Sequence, residues 1–149
     1  MLLIFSQLYH AVRVDKRGSR VAVLKPGFYI YVGSACGPGG LRARISRHLC
    51  GKRKRLHWHI DRILSSPYVQ PLATLYYENL CVERVIASRL GADECFEGLA
   101  GIGASDDMVN SSHFYRVVCV EGVEGGQQFV GWLSGYMSAV LGGRPSIVW

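Results

Sequence analysis

The chain has 149 residues, 49% of them apolar and 19% charged, which suits one hydrophobic core and excludes a disordered chain. Five cysteines are scattered, odd in number and never spaced as CxxC, which argues against a zinc ribbon or a disulfide framework and for free thiols in a reducing cytoplasm. The net charge of +6 divides unevenly, with thirteen Lys/Arg against two acids in residues 1–62 and four against nine in residues 63–149.

The opening MLLIFSQLYHAV is apolar but interrupted by Gln7 and His10, with no basic residue ahead of it. It is too short to span a bilayer and lacks the features of a signal peptide, so a core strand is expected. LLIFSQLYHAVRV reads as one strand, Asp15–Ser19 as a hairpin loop with Gly18 at its turn, and RVAVL as a second strand. Pro26-Gly27 breaks the chain, and FYIYVG is a third extended run, rich in aromatic and β-branched residues. The loop SACGPGG leads into LRARISRHL, where Leu41, Ile45 and Leu49 recur every four residues and face the core of a helix ended by Gly51. Arg44 and His48 flank that stripe, while Arg42, Ser46 and Arg47 point further toward solvent. HWHIDRILSS is expected as a second helix, PLATLYY as a strand, and LCVERVIASRL as a helix closed by Gly91. A glycine-rich loop, GLAGIGASDD, precedes a final strand, HFYRVVCV, and a last helix covers about residues 126–142. With no repeats and no boundary, residues 1–149 read as a single domain.

The positive charge is densest from Arg42 to Arg62, with eight basic residues and one acid. Arg42, Arg47, Lys52, Arg53, Lys54 and Arg55 form a one-sided field of the kind that suits a polyanion such as nucleic acid. A solubilising face is the plainer explanation of the same run. GSACGPGG opening a helix can hold a phosphate on backbone amides, or can simply be a flexible turn. It has neither the GxxxxGK[ST] nor the GxGxxG pattern, so no nucleotide cofactor is expected.

In an extended run Tyr29 and Tyr31 share one face with Gly33 beyond them, while Phe28, Ile30 and Val32 share the other and belong to the core. The tyrosine face looks toward the arginine helix, where positive charge favours phenolate and so a base; two amphipathic tyrosines with satisfied hydroxyls are the alternative. His57, His59 and Asp61 lie within five residues. On a helix the two histidines would point about 200° apart, whereas His57 and Asp61 would share a face, so Asp61 is expected to orient His57. A small phosphate-ester enzyme built on this His/Asp cluster is a third reading.

The run Tyr31-Val32-Gly33-Ser34-Ala35, then Gly40-Leu41-Arg42-Ala43-Arg44-Ile45, resembles the second half of the GIY-YIG nuclease motif. The resemblance is closer to a group of GIY-YIG-like proteins, found alone or fused to endonuclease III-type DNA glycosylases. Their run YVGSA…GL..R..RH…HWHID recurs here at Tyr31–Ala35, Gly40–His48 and His57–Asp61, and GIGASDD…SSHFY resembles their GFGxSD…SHLFY segment. The resemblance implies a GIY-YIG-like α/β (α+β) fold, a small and mostly antiparallel sheet flanked by helices, here with a C-terminal helix added. It also implies a cytoplasmic, metal-dependent endonuclease that hydrolyses DNA phosphodiesters in repair or processing. Tyr31 would position or deprotonate the attacking water, Arg44 would bind the scissile phosphate, and His48 would orient it or shuttle a proton. Glu83, with Glu78 as the fallback, would hold one Mg²⁺ or Mn²⁺; no zinc is expected. Ser105, Asp106 and His113 would complete the cleft, with Gly33, Ser34, His59 and Asp61 in support. In the family the Gly-x-Tyr half of the motif lies on an earlier strand. LLIFSQLYH has none, which makes Tyr29 the local substitute and a binding module without efficient cleavage the rival reading. The implied partners are DNA rather than RNA and a DNA-repair protein, with no membrane.

Overall fold

The computed structural model describes residues 1–37, 39–49, 56–78, 81–104 and 107–149. The elements in chain order are β1 (Leu2–Ser6), β2 (His10–Arg13), β3 (Val21–Leu24), β4 (Gly27–Tyr31), α1 (Gly40–Leu49), α2 (His59–Ile63), β5 (Val69–Tyr76), α3 (Glu83–Gly91), β6 (Phe96–Gly98), β7 (Phe114–Val117), α4 (Gly126–Leu141) and β8 (Ser146–Val148). Six strands form one sheet in the order β6-β7-β4-β1-β5-β8, and β2 with β3 makes a separate ribbon. Neighbouring strands run antiparallel throughout, so this is an α+β fold with a mostly antiparallel sheet and a C-terminal helix.

Alternation along β4 divides the core in two. Phe28, Ile30 and Val32 pack with Leu3, Ala73 and Leu75 beneath α3 and α4. Tyr29 and Tyr31 join Leu2, Ile4, Ile60 and Ile63 on the opposite side, under α2 and the β2–β3 ribbon. Helix α4 fits its apolar pattern: Phe129, Val130, Leu133 and Met137 form one buried stripe, and the Phe129 ring stacks on Phe28 at 4.3 Å. The helix stops at Gly142, whose φ of 74° is left-handed and favours glycine at this cap.

The expected first strand is two strands. Gln7 N donates to Tyr68 O and Ser6 Oγ donates to Leu8 O, so the ladder ends at Ser6 and the chain crosses to the second ribbon at His10. The imperfect alternation of LLIFSQLYHAVRV is the trace of that crossing. Helix α2 starts at His59, leaving His57 and Trp58 ahead of it. Strands β6 and β8, three residues each, were not foreseen, because so short a run carries no readable period. The C-terminal tail docks as an edge strand, Ile147 opposite Leu75 on β5.

The thiols also differ from expectation. Cys36 is disulfide-bonded to Cys81 and Cys95 to Cys119, with Cα separations of 6.0 and 4.9 Å, inside the range a disulfide spans. Their sequence separations of 45 and 24 residues show no motif, because pairing depends on where the strands bring the Cβ atoms. Among the described residues no helix is long and apolar enough to cross a membrane.

Candidate functional site

The register of the sheet sets out the site. Tyr31, the last residue of β4, lies opposite Leu2 of β1 and Phe114 of β7, and Leu2 lies opposite Thr74 of β5. This row closes one end of the sheet. Beyond it Val32 N donates to His113 O and the chain leaves the sheet.

Two glycines fit around the Tyr31 ring. A Cβ on Gly33 would stand 3.1 Å from Tyr31 Cε1, and one on Gly103 would stand 3.0 Å from Tyr31 Cε2. Gly103 also has a φ of 77°, a left-handed conformation that strains other residues. Each edge of the phenol is therefore packed against a glycine backbone, where a Cβ would press on the ring and, at Gly103, would also strain the chain. The buried His48, in the last turn of α1, meets the ring edge-on at a centroid distance of 6.0 Å.

Tyr31, Gly33, Ser34, Arg44 and Glu83 line two adjoining cavities, of about 80 and about 310 Å³. His48 and Thr74 line the smaller one, and His57, Trp58, His59 and Gly103 line the larger. Thr74 Oγ1 is buried without a hydrogen-bond partner among the described residues, which leaves a hydroxyl available to a bound water or anion. Glu78 lines neither cavity.

Glu83 opens α3, where a carboxylate also complements the helix dipole. Its side chain is 28% exposed, and its Oε1 lies 3.2 Å from Nδ1 of the buried His113. The other ring nitrogen of His113, Nε2, lies 2.8 Å from Asp107 Oδ2. Hydrogen bonds from the Asn110 side chain, the Val109 N–H and His113 hold the Asp107 carboxyl far below the usual carboxylate range. Asp107 anchors the His113 ring through Nε2, and the ring's Nδ1 lies close to Glu83 but makes no hydrogen bond among the described residues.

On the other side, α1 organises the HWHID segment. Asp61 is buried and accepts from Arg47 Nε and Nη2 as well as from His57 N at 3.0 Å and Trp58 N at 2.9 Å. Burial raises this carboxyl, but the bonds from Arg47, Trp58 and His57 outweigh burial and hold it below its ordinary value. The Arg44 guanidinium lies 5.5 Å from the centre of the Trp58 ring, and His57 meets that ring edge-on at 4.8 Å. His59 Nδ1 accepts from Gly103 N at 3.2 Å, and burial lowers the affinity of the His59 ring for a proton. The neutral ring that accepts this bond thereby holds the glycine that packs on Tyr31.

The structure therefore brings Tyr31, Arg44, His48 and Glu83 to one place, with Gly33, Ser34, His57, His59 and His113 around them. Tyr29 is elsewhere: it is fully buried, stacks on Phe114, accepts from Lys25 N and donates to Lys25 O. Burial raises its phenol above the ordinary value, the reverse of an activated base. Arg47 does not point to solvent but is paired with Asp61. Asp61 binds the backbone N–H of His57 and not its ring, since His57 precedes the helix and shares no helical face with it. Arg42 is exposed on α1 and lines neither cavity. The expectations on Lys52, Arg53, Lys54, Arg55, Ser105 and Asp106 fall outside the described residues. Sequence reasoning passed over Gly103, Asp107, Thr74 and Trp58; Gly103 and Asp107 sit inside GIGASDD and Trp58 inside HWHID, whereas Thr74 carried no local signal.

Residues 1–125 match the family model described as Domain of unknown function DUF123, which is GIY-YIG-like. The chain belongs to this family. The DUF123 match ends just before α4 begins at Gly126, so α4 and β8 lie beyond it, although both are built into the main sheet and its core. No curated protein and no solved structure matches the chain.

Proposed function

We propose that the chain is a metal-dependent endonuclease that hydrolyses DNA phosphodiesters. One observation carries this reading: a phenol, a guanidinium and a carboxylate from β4, α1 and α3 line the same pair of cavities. In this reading Arg44 binds the scissile phosphate, since guanidinium pairs readily with phosphate oxygens. Tyr31, clamped between its two glycines, acts as the phenolate: it accepts a hydrogen bond from the attacking water and then its proton, becoming the neutral phenol. As the new phosphorus–oxygen bond forms, the bond to the leaving oxygen breaks and that oxygen takes up a proton from solvent water. His48 orients the phosphate from beside Tyr31.

Glu83 is the ligand for Mg²⁺ or Mn²⁺. A single carboxylate facing an open cavity suits ions that retain several waters and bind through one or two carboxylates plus phosphate. Such an ion would supply Lewis-acid stabilisation of the charge that develops on the phosphoryl oxygens. His113, anchored by Asp107, lies beside Glu83. A DNA-repair partner and a cytoplasmic location belong to the same proposal. The location no longer draws support from free thiols, because persistent disulfides mark oxidising compartments or, inside cells, hyperthermophiles.

The binding-module reading is favoured by one feature: β1 has no Gly-x-Tyr, and the Tyr29 hydroxyl is fully engaged with Lys25. Incubation of the purified chain with nicked, branched and single-stranded DNA in Mg²⁺ or Mn²⁺ separates the two. The nuclease reading expects cutting that is lost in Tyr31→Phe and Glu83→Gln. Salt-sensitive binding without cutting on every substrate leaves the binding module. Absence of binding at moderate ionic strength removes both.

A further inference from the structure

The geometry points to Trp58 as a stacking platform for an unpaired DNA base, placed beside the phosphate site at Arg44. This rests on the nucleic-acid reading above and narrows the substrate to a DNA strand with single-stranded character. Three observations lead there. Trp58 is a large aromatic residue left 41% exposed on the wall of the 310 Å³ cavity that Tyr31, Arg44 and Glu83 also line. Its placement is built: its backbone N–H is held by the buried Asp61, which Arg47 pins from α1, and His57 meets the ring edge-on. Arg44 lies over the ring at 5.5 Å, so one cation both touches the indole and lines the wall shared with Tyr31 and Glu83.

The chemistry follows from those positions. A nucleotide presents a flat base about one sugar away from its phosphate. An indole next to a guanidinium offers a surface for the first and a charge for the second, and the contact tolerates any base because each has a π-face. Bases within a duplex are already stacked on both sides, so they cannot use the indole unless the strand is single or the nucleotide is turned out. Phosphate contacts alone would not distinguish the two forms of DNA. The platform therefore selects single-stranded segments over paired ones and positions the strand relative to Tyr31.

The test is a binding titration of the full chain, by fluorescence anisotropy at fixed salt, with a labelled single strand and with the blunt duplex of the same sequence. Wild type is expected to bind the single strand more tightly. Trp58→Ala is expected to weaken single-strand binding by about 5- to 150-fold, while duplex affinity and the salt slope hold. Trp58→Phe, which keeps a ring, is expected to retain most of the difference, and thermal melting of both variants reports that they fold. Single-strand affinity unchanged in a folded Trp58→Ala overturns the inference, and equal losses on strand and duplex overturn it as well. In either case the nucleic-acid reading survives. If wild type binds neither form with salt sensitivity, that reading itself falls, and the platform with it.

Discussion

The two faces of the central strands differ in what they enclose. Beneath α3 and α4 the sheet presents only apolar and aromatic groups, and Phe28, Ile30, Leu3 and Leu75 are sealed there by the stripe of α4. The opposite face begins the same way, with Ile4 and the hydrogen-bonded Tyr29 in its middle, but ends at Tyr31 in an open cavity with charged groups around it. One strand thus carries two tyrosines in the same orientation two residues apart, one enclosed and one at the edge. Position along the strand, and not face alone, separates a tyrosine enclosed on all sides from one that lines a cavity. The closed face is core throughout, whereas Tyr31 belongs to the core and to the cavity wall at once.

Substitutions can break or sharpen this contrast. The largest effect is expected at the open end. On the nuclease reading Tyr31→Phe lowers the cleavage rate by about 10²- to 10⁴-fold while urea denaturation shifts little, because a single proton-transfer group is lost with its ring retained. A loss of stability comparable to that of a core truncation would remove the distinction. On the closed face Phe129→Ala is expected to cost about 3–5 kcal/mol in equilibrium unfolding. The same denaturation curves for Tyr29→Phe are expected to show about 1–2 kcal/mol, from the lost bonds to the Lys25 backbone, with cleavage unchanged. Impaired cleavage in stably folded Tyr29→Phe would return Tyr29 to the site. The smallest effect is a pH dependence from His59. Its proton affinity is lowered in the fold, so it contributes full stability above the unfolded value of 6.5, and that contribution is lost as pH falls through the depressed value. Melting temperatures of wild type and His59→Asn between pH 7 and pH 5 are expected to converge on acidification; parallel curves would show that His59 does not titrate against the fold.

Much of this architecture was legible along the chain. Apolar stripes located α3 and α4, and alternation in GFYIYVG assigned each side chain of β4 to its face; on α1 the expected stripe Leu41, Ile45 and Leu49 is only partly covered, and His48 is the buried residue. The resemblance to GIY-YIG-like proteins, carried by YVGSA and HWHID, pointed to Tyr31, Arg44 and Glu83, which the fold brings together. Other readings failed for one shared reason. Arg47 looked like a solvent-facing cation because its partner Asp61 is fourteen residues away in the chain. Asp107 looked incidental because its contact with His113 depends on how the segment between them folds. The cysteines looked unpaired because their spacing matched no motif.

By itself, then, the sequence determined which residues alternate inward, where the longer helices start and stop, and which short motifs carry candidate chemistry. These are consequences of backbone geometry, which repeats every two or 3.6 residues and needs no distant partner. Only the tertiary structure decided that Tyr31 and not Tyr29 reaches the cavity, that His113 lies between Asp107 and Glu83, that Asp61 places Trp58 beside Arg44, and that the tail closes the sheet as β8. Each of these depends on groups far apart in sequence meeting at a few ångströms, and no local period encodes such a meeting.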